Sequence, residues 1–79
     1  MRLSIFSLKG IVYSGEAASI NLKTESGEIT VLDGHRPLIT ILAESTAKIS
    51  EASGAQKEIN VKSGFLEVDP YNNVTALIR

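Results

Sequence analysis

The sequence predicts an all-β fold, an antiparallel β-sandwich of about ten short strands, and three observations support this fold class. Polar and apolar residues alternate along several segments, as they do in half-buried strands. Dipeptides that end in glycine separate these segments, and no segment repeats its apolar residues every 3.6 positions. Many short strands at close spacing are typical of a sandwich or barrel. Without a linker, repeat or low-complexity segment, residues 1–79 are expected to form a single domain.

The alternation is clearest in segments 18–22, 57–61 and 74–78, and each of them is predicted to be a strand. Segment 42–49 is the best helical candidate, but its serine, threonine and isoleucine favour a turn followed by a strand. Glycine supplies the positive φ that tight turns require. The dipeptides that predict turns are Ser14-Gly15, Ser26-Gly27, Asp33-Gly34, Ser53-Gly54 and Ser63-Gly64.

Composition limits the possible partners. A chain of 79 residues buries only about two-thirds of its unfolded surface, and without cysteine it has no disulfide to support a small core. Small domains with a modest core often gain stability from a disulfide, a metal or a partner, and a protein partner is the option that remains for this chain. Eight basic residues against nine acidic ones, scattered without a run, exclude the clustered positive charge of a nucleic-acid interface. The longest apolar stretch, residues 38–43, is far shorter than the roughly 20 residues that span a bilayer.

Catalytic chemistry finds little support. His35 is the only histidine, and without cysteine it could complete a metal site only with carboxylates. No serine lies on a strand-to-helix turn near it, and the glycines are too dispersed for a phosphate loop. The sequence therefore predicts no catalytic, cofactor-binding or metal-ligating residue. Phe6 and Phe65 are assigned to the core and Tyr13 and Tyr71 to the rim, in preference to a base-stacking platform.

The loop between two apolar runs, residues 33–37, carries the histidine. Asp33-Gly34 turns the chain, and Pro37 keeps Arg36 out of the helical region, so the loop is stiff and presents His35 and Arg36 in a fixed direction. A stiff loop of this kind is suited to recognition of a partner, whereas composition alone favours a plain solvated turn.

The segment around this loop, Gly-Glu-Ile-Thr-Val-Leu-Asp-Gly-His-Arg-Pro-Leu at 27–38, resembles a motif of the epsilon subunit of F-type ATP synthase, called delta in mitochondria. That motif reads Gly-Glu-(apolar)-Gly-(apolar)-(apolar)-Pro-Gly-His-x-Pro-Leu. Residues 10–16 are similar to the strand pair of this family that runs into an aromatic-x-Gly-x turn. Residues 63–68 and 73–75 are similar to its Gly-Gly-Phe-x-Glu-Val and Asn-x-Val-Thr blocks. Order and spacing match over essentially the whole chain.

The departures from the family pattern fall at turns. Thr30 and Ser63 stand where the family usually has glycine, Asp33 where it has proline, and residues 44–46 replace a common Pro-Gly turn. Each leaves the strand pattern intact. Family members usually continue into a hairpin of two α-helices, whereas this sequence stops at Arg79, so the expectation is a sandwich without that hairpin.

The resemblance implies a non-catalytic rotor subunit in the central stalk of the proton-translocating synthase. It implies that the domain bridges the gamma subunit to the c-subunit ring, so that ion-driven rotation is coupled to ATP synthesis. The implied partners are gamma and the ring, with no nucleic acid and with the membrane contacted only through the complex. The implied location is the cytoplasmic face of the bacterial inner membrane, or the thylakoid or mitochondrial inner membrane in an organelle.

The resemblance also implies site residues. Glu28, His35 and Arg36 match positions assigned to the side that faces the c ring, and Ser7 and Thr40 match positions that face gamma. The alternative is a free-standing β-sandwich adaptor or a carbohydrate-binding module. A sugar-binding module usually displays a cluster of exposed aromatic residues, and this chain offers only two tyrosines for that purpose.

Overall fold

The computed structural model describes all 79 residues and contains eight β-strands and no helix, which confirms the predicted all-β fold. No helix is therefore available to cross a membrane. The predicted strands at 18–22, 57–61 and 74–78 lie within the second, sixth and eighth strands. In chain order the strands are β1 (Arg2–Ser7), β2 (Gly10–Thr24), β3 (Gly27–Leu32), β4 (Leu38–Leu42), β5 (Ser45–Glu51), β6 (Gln56–Val61), β7 (Gly64–Val68) and β8 (Asn73–Ile78).

The strands form one continuous sheet that folds over into two layers. Neighbouring strands follow the order β1-β8-β7-β4-β2-β5-β6, with β3 paired to β2 and an additional pairing of β1 with β2. The first layer consists of β4, β7, β8, β1 and residues 10–16 of β2. The second layer consists of residues 17–24 of β2 with β3, β5 and β6.

Strand β2 belongs to both layers. Its 15 residues would extend about 50 Å at 3.3 Å per residue, whereas the longest dimension of the molecule is 26 Å. The strand therefore bends, and its pairing with β5 is irregular between Ala17 and Ser19. One bent strand thus serves both layers, and the sandwich has eight strands where the sequence predicts about ten.

The predicted turn at Ser14-Gly15 is wrong, because both residues lie inside β2 just before the bend. Gly15 has a packing role at this point. A Cβ atom there would lie 3.2 Å from the hydroxyl oxygen of Tyr13, so the missing side chain leaves room for the phenol. Gly15 therefore lies next to a bend within a strand, and the chain does not reverse there as a turn would require.

One pairing is parallel. Strands β1 and β8 run in the same direction, with Ile5 opposite Ala76, while every other pair is antiparallel. The alternation of residues along a strand fixes its two faces but carries no information on the direction of its neighbours. The sequence pattern therefore does not predict that β1 and β8 run in parallel.

The core lies between the layers and consists of 16 buried apolar residues. Within the first layer the inward positions follow the strand alternation, so that Ile5, Ala76 and Leu66 lie side by side on β1, β8 and β7. The largest fully buried side chains are Leu3, Ile5, Ile20, Leu22, Ile49, Leu66, Val31 and Val74. Thr24 is the one buried polar residue, and its hydroxyl donates to the carbonyl oxygen of Gly27 at 2.9 Å.

Candidate docking surfaces

Five apolar side chains form a row across the outer face of the first layer, hereafter the apolar row. Each residue lies opposite the next one on the neighbouring strand, so the row runs straight across β2, β1, β8, β7 and β4. The members in order are Ile11, Phe6, Leu77, Phe65 and Ile41. Phe6, Leu77, Phe65 and Ile41 each adjoin a buried core residue in their own strand, which places them on the opposite face of the sheet. Ile11 joins this row through its pairing with Phe6.

The apolar row is largely exposed. Phe65 is 56% exposed and Leu77 is 57% exposed, while Phe6 is half-buried. The assignment of Phe65 to the core is therefore wrong. Strand β7 has apolar residues on both faces, and its buried positions are Leu66 and Val68, so hydrophobicity alone does not show which face points inward.

A groove of about 420 Å³ lies along the apolar row. Its lining is mostly apolar and includes Phe6, Phe65 and Leu77, with Leu8 at one end. Gly64 also lines it, and a Cβ atom on this glycine would lie 2.0 Å from the backbone oxygen of Leu77. Glycine at this position therefore allows the close approach of β7 and β8 beside the groove.

Of the two residues expected to face gamma, Ser7 lines the groove and Thr40 does not. Ser7 ends β1 and lines the groove, and its hydroxyl accepts a 3.2 Å hydrogen bond from the backbone N–H of Lys9. Thr40 lies between Ile39 and Ile41 on β4 and opposite the buried Leu66, so it is half-buried on the inward side. Only Ser7 belongs to the surface that the apolar row defines.

Glu28 lies near the beginning of β3, an edge strand that pairs only with β2. The side-chain amide of Asn21 donates to Oε2 of Glu28 at 2.9 Å and lies 2.8 Å from the hydroxyl of Thr30. Glu28, Thr30 and Leu32 alternate with Ile29 and Val31, and all three are exposed on the outer side of the second layer. Asn21 thus holds the carboxylate of Glu28 in place on an outward-facing stripe.

The loop of residues 33–37 follows β3 and is anchored to the β7–β8 turn. The amide of Gly34 donates to Oδ1 of Asn72 at 3.0 Å, and the side-chain amide of Asn72 donates to Asp33 at 3.2 Å. Within the loop the backbone N–H of His35 donates to Leu32, and the ring nitrogen Nδ1 of His35 lies 2.7 Å from the carbonyl oxygen of Arg36. Because that oxygen only accepts, Nδ1 carries the hydrogen.

Asp33 also contacts the amino group of Met1, which in turn donates to the carbonyl oxygen of Ala17 at 3.0 Å. Hydrogen bonds from the amino group and from Asn72, together with the positive charge of the amino group, lower the pKa of Asp33 below its ordinary value. The carboxylate is thus held in its charged form. The sequence indicates a stiff loop from Pro37, but the anchoring contacts with Met1 and Asn72 have no sequence signal.

The structure does not bring together the residues expected to face the c ring. Glu28 lies one residue into β3, whereas His35 and Arg36 lie beyond its other end. The four residue steps from Glu28 to Leu32 alone span about 13 Å. The three side chains share one side of the molecule, that of β3 and the following loop, but they form no cluster. No three histidine, aspartate or glutamate side chains gather anywhere in the molecule as a cation site would require.

Comparison with known proteins identifies relatives over the full length of the chain. The family model described as ATP synthase, Delta/Epsilon chain, beta-sandwich domain matches residues 1–79. The chain is 41% identical over 78 residues to the ATP synthase epsilon chain of Herminiimonas arsenicoxydans, covering 98% of this chain and 55% of that protein. It is 39% identical over 77 residues to the epsilon chain of Bordetella avium, covering 98% and 54%. The chain thus spans about half the length of these curated relatives.

Solved structures show the same fold. A chain of the Euglena gracilis mitochondrial ATP synthase, in a structure of OSCP, F1 and c-ring, superposes with a TM-score of 0.86 at 22% identity, covering 96% of this chain and 48% of that one. A chain from the central stalk and c-ring of Tetrahymena thermophila mitochondrial ATP synthase gives a TM-score of 0.80 at 15% identity, covering 99% and 62%. From the match over residues 1–79 and the identities to curated epsilon chains, this chain belongs to the beta-sandwich family of ATP synthase delta and epsilon chains.

Proposed function

We propose that this chain is a non-catalytic rotor subunit of a proton-translocating F-type ATP synthase that bridges the gamma subunit and the c ring. In this proposal residues 1–79 act as one domain in the central stalk and couple ion-driven rotation to ATP synthesis. The observation that carries the proposal is the exposed apolar row on the first layer. A contiguous apolar surface of this kind on a small domain marks a protein interface.

The apolar row is the proposed docking surface for gamma. Burial of Phe65 and Leu77 against a partner removes apolar area from water, and large aromatic and aliphatic side chains supply most of the energy of an interface. Ser7 lies in the same groove, so its expected position toward gamma agrees with this surface. Thr40, which faces inward, is proposed to act indirectly by fixing the positions of Ile39 and Ile41.

The side of the molecule formed by β3 and its following loop is the proposed contact with the c ring. Glu28 stands at one end of this side, and His35 and Arg36 stand at the other. Asn21 orients the carboxylate of Glu28, and Asn72 anchors the loop that carries His35. Charged groups arranged in this way give orientation and association rate more than raw affinity. A contact along the length of β3 would engage all three residues.

The similar chains support this assignment through the assemblies in which they occur. One is part of a structure of OSCP, F1 and c-ring, and the other is part of a central stalk and c-ring. The proposal places this chain at the corresponding position, peripheral to the membrane and attached through the ring, on the cytoplasmic face of a bacterial inner membrane or its organellar counterpart. The chain transmits rotation and supplies no reacting group.

The proposal is tested by a pull-down with the tagged chain from detergent-solubilised membranes of its source. Recovery of both gamma and c subunits is the expected result. Two variants are compared with the unsubstituted chain. The test variant has Phe65 and Leu77 replaced by serine, and the control variant has the exposed Lys57 and Asn60 of β6 replaced by serine. The first should lose gamma and the second should retain it. Recovery of neither subunit by the folded, unsubstituted chain would reject the proposal and favour a free-standing adaptor.

A further inference from the structure

We infer that the element of gamma that docks on the apolar row is an amphipathic α-helix lying across the strands, with its basic side over Glu67. This inference rests on the proposed docking of gamma and concerns the form of the recognition element. Three features of the surface support it. These are the backbone beneath the row, whose hydrogen bonds are already made within the sheet, the spacing and width of the row, and the charges on its two sides.

The backbone beneath the apolar row offers no hydrogen bonds to a partner. Strands β1, β8 and β7 are each paired on both sides, so the middle of the row presents only side chains. A partner strand laid on these side chains would lose water from its N–H and C=O groups without gaining backbone partners, which is costly. A helix satisfies its backbone internally, and it can cover the row without that cost.

The spacing of the row matches a helix. Its five side chains on neighbouring strands are about 4.8 Å apart, so the row is about 19 Å long. A helix presents one side chain per 5.4 Å turn along an apolar stripe, and about 13 residues would cover this length. A strand presents same-side residues only every 6.6 Å or so, which fits the row less well.

The row is also narrow. The next row along the same strands is mostly polar, since Ser4 lies opposite Thr75 and Thr75 lies opposite Glu67. On the other side the strands end near Leu8 and Arg79. Ile39, which lies opposite Glu67, and Leu8 widen this apolar band locally. A narrow apolar band with mainly polar borders is complementary to the apolar stripe of an amphipathic helix.

The charges beside the row are not neutralised within the chain. The only salt bridges join the amino group of Met1 to Glu16 and Asp33, so Glu67 forms none. Glu67 is exposed on one side of the row, whereas Lys9 and Arg79 are exposed on the other. A helix with basic residues toward Glu67 and acidic residues toward Lys9 would complement both sides, which fixes its rotation about its own axis.

Site-specific photocrosslinking tests the inference. Benzoylphenylalanine replaces Ile11, Leu77 or Ile41, one at a time, in the 79-residue chain bound to its gamma subunit, and the crosslinked gamma residues are identified by mass spectrometry. These positions are two strands apart, or about 9.6 Å, which equals about six residues of a helix but only about three of a strand. We expect three ordered crosslinks, about six or seven residues apart within one gamma segment. The matched control at exposed Asn60 on β6 should give no crosslink to gamma.

Charge reversal supplies a second, independent readout. Glu67→Lys should weaken gamma binding about threefold to fivefold, whereas Glu58→Lys on β6 should leave it unchanged. Crosslinks about three residues apart, or crosslinks scattered over several gamma segments, would overturn the helix while leaving the docking of gamma in place. Gamma binding without crosslinks from the row would overturn both the helix and the docking face. A failure of the folded chain to bind gamma would reject the proposed function itself.

Discussion

The phenol of Tyr13 donates a 2.6 Å hydrogen bond to the carboxylate of Glu51, and this bond joins the two layers beside the bend of β2. Tyr13 lies on residues 10–16 of β2 in the first layer, and Glu51 ends β5 in the second. Burial, together with the hydrogen bond and the negative charge of Glu51, raises the pKa of Tyr13 to about 12. The bond supplements the packing of a small core.

Tyr13→Phe should lower the free energy of unfolding by about 1–2 kcal/mol, because it removes a hydrogen bond to a charged group while keeping the ring. Urea denaturation followed by circular dichroism measures the change. Tyr71→Phe is the matched control, since Tyr71 is exposed in the β7–β8 turn and should be neutral. Equal stabilities for the two variants would contradict the role of the Tyr13 bond.

The same pair should respond to alkali. The pKa of Tyr13 is about 12 in the folded chain against an ordinary value of 10.0, so its contribution to stability is complete below pH 10 and is lost as the pH rises through about 12. Ultraviolet titration of the folded chain should show one tyrosine ionising near pH 12. Tyr13→Phe should abolish that transition and flatten the stability profile between pH 10 and 12. A transition that persists in this variant would refute the assignment.

Gly64→Ala should destabilise the domain by about 3 kcal/mol, because the new Cβ would lie 2.0 Å from the backbone oxygen of Leu77 and would force β7 and β8 apart. Gly54→Ala is the control. It has the same type of positive φ, at 98°, but no atom lies within 4 Å of its Cβ position, so only a backbone strain of about 1 kcal/mol is expected. Thermal unfolding compares the two variants, and similar melting temperatures would argue against the steric account.

The anchor of the loop can be separated into side-chain and backbone parts at Asn72, which has a φ of 66°. Asn72→Gly keeps this conformation but removes the bonds to Gly34 and Asp33, whereas Asn72→Ala removes the bonds and adds about 1 kcal/mol of strain. Hydrogen exchange at the Gly34 amide should accelerate in both variants. Stability should fall further in the alanine variant. An unchanged exchange rate in the glycine variant would contradict the anchoring role.

Glu28→Lys should weaken attachment to the c ring and make it less sensitive to salt, because charge complementarity is lost or reversed. Glu28→Gln keeps an acceptor for Asn21 and should show a smaller loss of the same sign. Binding to isolated gamma should be nearly unchanged in both, as it should be in the control Glu58→Lys on β6. Loss of gamma binding by a folded Glu28→Lys variant would show that the two surfaces have been assigned the wrong way round.

Strand positions were the part of the fold that sequence could predict. Alternation at 18–22, 57–61 and 74–78 identified strands because each residue there chooses between a buried and an exposed face. The turn expected at Ser14-Gly15 failed for a physical reason. Glycine permits both a reversal and a close side-chain contact, and here it provides room for Tyr13 inside a bent strand.

The candidate surfaces were only partly predictable. The sequence predicts the loop that carries His35 as a stiff turn. It does not predict the anchoring of this loop by Asn72, because Gly34 and Asn72 are 38 positions apart in the chain. The sequence does not predict the apolar row, because Phe65 is as hydrophobic as a core residue although it is exposed. Its exposure follows from the register of β7 against β8, which local pattern does not specify.

The bend of β2 has a mechanical consequence under the proposed function. Ile11, in one arm of this strand, contributes to the apolar row, and Asn21, in the other arm, holds Glu28. A load applied at the gamma face therefore reaches the ring face along an unbroken peptide chain. Non-bonded contacts between the layers would yield to shear far sooner than covalent bonds do. Strand β2 therefore transmits torque directly from the gamma face to the ring face, before the two layers can slide against each other.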